Sequence, residues 1–106
     1  MLFFLYIFII MTLELKTEII ETTLNAIHEV SRIEKKPELS HMLSDFELDS
    51  IDIIEVIMNI ENRTGIRIPD EFLPYEKFGE KDKDGMSIPM FIDSIIDAID
   101  KLNIEK

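Results

Sequence analysis

Residues 49–71 read DSIDIIEVIMNIENRTGIRIPDE, and the fold turns on how this stretch divides. Asp49 and Ser50 each offer an oxygen that can cap a helix, Asp52 puts a carboxylate in the first turn, and Gly65 supplies a left-handed stop after Thr64. The spacing predicts a helix over Ser50 to Thr64. Within it Ile53, Val56, Ile57, Ile60 and Thr64 recur at steps of three and four, the stripe a helix turns toward a core. Ile51, Ile54 and Met58 form a second stripe, interleaved with Asp52, Glu55, Asn59 and Asn62. That stripe is either a widening of the buried face or an apolar strip among acids, suited to a partner with an apolar groove and a basic rim.

Upstream, Ile20, Leu24, Ile27 and Ser31 share a helical stripe with Ile19, Ala26 and Val30 beside it, predicting a first helix from about Leu13 to Val30. Pro37 interrupts any continuation and opens a long loop that holds Leu39, Met42, Leu43 and Phe46 for the core. Downstream, Pro69, Pro74, Gly79, Gly85 and Pro89 break the chain, so any helix between Pro69 and Ser87 must be short. From Met90 the period returns in Phe91 or Ile92, Ile95, Ile99 and Leu102, predicting a last helix to about Asn103. No strand alternation is present. The expected fold is all-α: a small bundle of three main helices plus a possible short one, with a long loop before helix two.

The 106 residues suit one domain, with 22 acids against 11 Lys and Arg and a formal charge of −11. Such a polyanion repels nucleic acid, so basic protein partners are expected and no nucleic acid. With 46% hydrophobic residues the chain can fold, and with no cysteine it has neither disulfides nor thiolate chemistry, which fits a reducing cytoplasm. Residues 1–11 are almost wholly apolar. Even extended to Leu13 they make about 20 Å of helix, short of the ~30 Å hydrocarbon core, so no stable membrane span is expected. A secretory signal would want a basic start and a small-residue cleavage site, yet no Lys or Arg precedes Lys16 and no Ala precedes Ala26. The expectation is that Met11 is the natural start, that 1–11 is an apolar extension outside the fold, and that 12–106 is the domain. A short membrane-seeking tail is the other reading of that extension.

A serine at a helix start is most simply a cap, and a catalytic serine needs a base; only His28 and His41 exist, neither placed by sequence beside Ser50. A serine modified by another enzyme needs no base of its own, only exposure at a helix tip. Asp49, Ser50 and Ile51 opening a helix, with Ile68, Pro69, Asp70 and Glu71 beginning eighteen residues after the serine, resemble the acyl carrier protein family. The likeness extends over residues 13 to 103. It implies that Ser50 takes 4'-phosphopantetheine from coenzyme A, delivered by a phosphopantetheinyl transferase, and that the arm's thiol carries acyl groups as thioesters. It further implies that Asp49, Ile51, Asp52, Ile54, Glu55 and Met58 face partner enzymes, and that Val56 and Ile60 line an acyl cavity. The partners would be acyl-transferring and chain-building enzymes with basic docking surfaces. On this reading the chain is a monomeric, stand-alone carrier for fatty acid, polyketide or related specialised biosynthesis, and not itself an enzyme. Alternatives are an aminoacyl or peptidyl carrier, or an unmodified acidic helical adaptor.

Two departures stand out. Where the family commonly has Leu-Gly ahead of the Asp-Ser pair, this chain has Phe46 and Glu47, and the segment 72–89 is longer than usual. In that segment Glu80, Asp82, Asp84 and Gly85 imitate the start of a calcium loop, but Phe91 falls where a bidentate glutamate must stand, so no metal site is expected.

Overall fold

The computed structural model describes residues 2–78 and 85–105, with the backbone alone for residues 2–12, 76, 77 and 103–105. It contains helices α1 (Leu2–Val30), α2 (Ser50–Thr64), α3 (Tyr75–Phe78) and α4 (Ile88–Glu105), with 3-10 turns at Leu43–Phe46 and Asp70–Phe72. Helix α2 packs on α1, which also meets α4, and α3 sits against α2. The bundle is all-α as expected. Among the described residues the only extended pairing is an isolated antiparallel bridge between Met42 and Ser87.

Helix α1 begins at Leu2, ahead of the expected Leu13. An amphipathic period marks where a helix meets a core, but propagation needs only residues free of Gly and Pro, and residues 2–12 have neither. Among the described residues no helix is long and apolar enough to cross a membrane. The buried face of α1 comprises Ile19, Thr22, Thr23, Ala26 and Ile27, while Ile20 and Leu24 lie at its edge. The stripe is therefore rotated from the one an apolar count selects, because a threonine methyl packs much as a valine methyl does.

After Val30, Ser31 turns the chain: its hydroxyl donates to the Phe46 carbonyl at 3.2 Å and accepts from the Ile33 N–H at 3.1 Å. The loop is then fastened to the entrance of α4, where Leu43 N–H donates to Met86 O at 2.9 Å and Ile88 N–H to His41 O at 3.1 Å. Leu43, Phe46 and Leu48 are buried, whereas Leu39 is 47% exposed and Met42 only partly covered, against expectation. Phe46 meets His41 edge to face at 5.4 Å.

Helix α4 starts at Ile88, earlier than Met90, although Pro89 follows. The first N–H groups of a helix have no intrahelical acceptor, so proline is tolerated there, and the Ser87 hydroxyl accepts from Met90 N–H at 3.3 Å as a cap. The elongated segment docks through aromatic edges, with Tyr75 against Phe78 at 5.6 Å and Phe78 against the buried Phe91 at 5.0 Å. Tyr75 donates its hydroxyl to Asp70 Oδ1 at 2.9 Å. Burial first, and then that bond, push the Tyr75 pKa upward. Glu80, Asp82 and Asp84 of the calcium-like turn lie outside the described residues.

The Thr23 hydroxyl is fully buried and has no hydrogen-bond partner among the described residues. An unpaired buried hydroxyl costs ~1 to 3 kcal/mol, and valine keeps the same branched shape. Thr23→Val should raise stability by about 1 kcal/mol, read as a higher urea midpoint with an unchanged slope; a lower midpoint would contradict this account of α1 packing.

Candidate functional site

The candidate site is the start of α2. Asp49 lies in extended conformation, and its Oδ1 accepts from Asp52 N–H at 2.8 Å while Asp52 Oδ2 accepts from Asp49 N–H at 3.1 Å. The two carboxylates cap the helix reciprocally, each leaving an oxygen spare. Ser50 is the first helical residue, exposed, and its hydroxyl takes part in no hydrogen bond among the described residues. By residue type alone, either Asp49 or Ser50 could be the cap. The geometry assigns it to Asp49, and the signal that could have done so is an acid three residues after another at a helix start.

The approach to Ser50 is constrained. Glu47 takes φ 52° and ψ 39°, the one left-handed non-glycine residue among those described. The site where the related family commonly carries glycine thus adopts a conformation glycine favours, and holding an L-residue there costs about 1 kcal/mol. The buried Phe46 and Leu48 on either side over-determine that turn.

At the far end, Gly65 at φ 70° donates its N–H to Glu61 O at 2.8 Å and closes the helix. Glu61 Oε2 accepts from Ile68 N–H at 2.9 Å, which ties the Ile-Pro-Asp-Glu segment to α2. No spacing rule foretold that contact. Glu29 at the end of α1 accepts from Asn59 Nδ2 at 3.0 Å and pairs with Arg63, bonds that hold its carboxyl below the usual range. Both contacts agree with the rotation that burial of Ile53, Val56, Ile57 and Ile60 gives α2.

That free face carries Ile51, Ile54 and Met58 at 66%, 45% and 55% exposure, while Ile53, Val56, Ile57 and Ile60 are buried. The second stripe is a surface strip and not a wider core. Full burial of such a side chain brings ~1.5 to 3 kcal/mol, so the fold leaves a sizeable apolar gain unused along this strip. Glu55 is exposed beside it and Asp52 half-exposed. Val56 and Ile60 point into the core, and a cleft of about 300 Å³ lies elsewhere, lined by Glu21, Leu24, Asn25, His28, Lys36 and Pro37.

A phosphate ester fits at Ser50. The hydroxyl is solvent-facing, the N–H groups of Ser50 and Ile51 have no acceptor among the described residues, and the positive end of the helix dipole favours an anion there. Because Asp49 holds the cap, Asp49→Ala should cost about 1 kcal/mol in chemical unfolding, whereas Ser50→Ala should cost less than ~0.5 kcal/mol. The reverse order would return the cap to Ser50.

A family model described as a phosphopantetheine attachment site matches residues 21–77, more than half of the chain, from the last third of α1 into α3. No solved structure matches the chain. Domains of this kind are where 4'-phosphopantetheine is covalently bound. The helical bundle, the exposed serine at its second main helix and the family match lead to one conclusion: the chain belongs to the phosphopantetheine-attachment carrier domains of the acyl carrier protein family.

Proposed function

We propose that Ser50 is the hydroxyl that receives the phosphopantetheine arm, and that the chain is a stand-alone acyl carrier in fatty acid, polyketide or related biosynthesis in the cytoplasm. The observation that carries this reading is the division of labour at the start of α2: Asp49 and Asp52 hold the helix, and Ser50 is exposed with its hydroxyl in no hydrogen bond among the described residues. When bound, the arm supplies a thiol that holds acyl groups as thioesters. The protein's own part is to present it. The serine oxygen attacks phosphorus, the bond to the nucleotide part of coenzyme A breaks, and the transferase takes the serine proton, so no base is needed on this chain.

Domain limits follow the same reading: residues 12–106 form the carrier domain, with 1–11 outside it. Asp49, Ile51, Asp52, Ile54, Glu55 and Met58 form the docking face for the transferase and for acyl-transferring and chain-building enzymes with basic surfaces. Val56 and Ile60, buried one turn apart, are the wall that a carried chain would contact. Charge on this face sets encounter rate, and the apolar strip holds the complex. Asp52 is an unsuitable probe of charge because reversing it also breaks the cap. Glu55 has no such bond among the described residues.

Incubation with a phosphopantetheinyl transferase, coenzyme A and magnesium should load the wild type and leave Ser50→Ala unmodified, as read by intact mass. An arm on the Ala variant would refute Ser50 as the site. Glu55→Lys should slow loading several-fold at low salt and much less at high salt, where screening acts over about 8 Å or less. Met58→Ala should slow loading with little salt dependence, since its share is buried area. A Glu55→Lys rate equal to wild type at low salt would move the docking face off α2.

A further inference from the structure

Helix α1 is longer than the bundle requires. From Leu13 onward the first buried residue is Ile19, and Leu13 is 59% exposed, yet the helix runs back to Leu2 without a break. From Leu2 to Ile19 is roughly 26 Å at ~1.5 Å per residue. The molecule measures 47 × 26 × 26 Å, so one axis is nearly twice the others.

Residues 2–11, LFFLYIFIIM, hold no charge, and the Tyr6 hydroxyl is their only polar side-chain group. Ten consecutive helical residues make nearly three turns, so whichever way this stretch is rotated, no face of it is polar. Pairing with a second copy would cover one stripe and leave the rest in water. Hydrocarbon covers every face at once. Ten residues span ~15 Å, half of the ~30 Å core of a bilayer and therefore the depth of one leaflet. Thr12, Glu14 and Lys16 follow directly and suit the level of the headgroups.

We propose that residues 2–11 insert end-on into one leaflet of a lipid bilayer and anchor the carrier domain to its surface. The net charge of −11 makes the favoured surface zwitterionic, because anionic headgroups repel the domain. The anchor acts independently of Ser50. On the carrier reading it holds the traffic of the arm at a membrane surface.

Flotation of the full chain with phosphatidylcholine vesicles tests this. Wild type should float with the lipid, and the full-length variant Phe4→Asp with Ile7→Asp should lose at least about ten-fold in bound fraction at ~1 mM lipid. Substituting phosphatidylglycerol for part of the lipid should weaken binding at low salt and less so at high salt. Ser50→Ala should float as wild type does, so failure of the attachment reading leaves this result unmoved. A wild-type chain that stays with the soluble fraction overturns the proposal. So does equal flotation of the Asp variant, or a dimer by light scattering that the vesicles do not capture, which would give the segment to a second copy.

Discussion

Two carboxylates one turn apart, Asp49 and Asp52, exchange hydrogen bonds with each other's backbone N–H across the first turn of α2, and the remainder of the candidate site follows from that exchange. A helix start must satisfy its free N–H groups somehow, and in many helices a serine does it. Here the acids do, so a serine can stand exposed at the first helical position with its oxygen outside any hydrogen bond among the described residues. The same acids leave one oxygen each for charge at the surface. On the proposed docking face, cap and surface charge come from the same two side chains, so reversing Asp52 would break the cap as well as change the charge.

Rotation matters as much as the cap. Burial of four apolar side chains outweighs any exposed ion pair, so the core stripe sets how α2 is rolled, and the contacts of Glu29 with Asn59 and Arg63 and of Glu61 with Ile68 agree with that setting. Ile53, Val56, Ile57 and Ile60 then fill the core, and Ile51, Ile54 and Met58 must face out. The left-handed turn at Glu47, set between buried Phe46 and Leu48, delivers the chain to Asp49 in the extended form that capping needs.

Much of this was legible in residues 49–71, because apolar steps of three and four, a glycine stop and a spaced Ile-Pro-Asp-Glu segment each carry direct geometric meaning. The bounds of α2 agree with that reading to the residue. Less legible were features set by tertiary contact. Threonines 22 and 23 took the buried face from Ile20 and Leu24, since relative helix rotation decides which side is inside. Leu39 is exposed and Met42 only partly covered because backbone bonds to Met86 and Ile88 also help to position the loop. Pro89 read as a breaker when it lies in a first turn that tolerates it. The pairing of Glu61 with Ile68 spans a turn whose path no local pattern dictates.

The central claim is that the helix start is held by Asp49 and not by Ser50. Amide hydrogen exchange at Asp52 N–H tests it most directly, compared between wild type, Ser50→Ala and the arm-bearing form. Equal protection is expected in all three, since Asp49 Oδ1 is the acceptor and neither change touches it. Protection that collapses in Ser50→Ala or on attachment of the arm would contradict it.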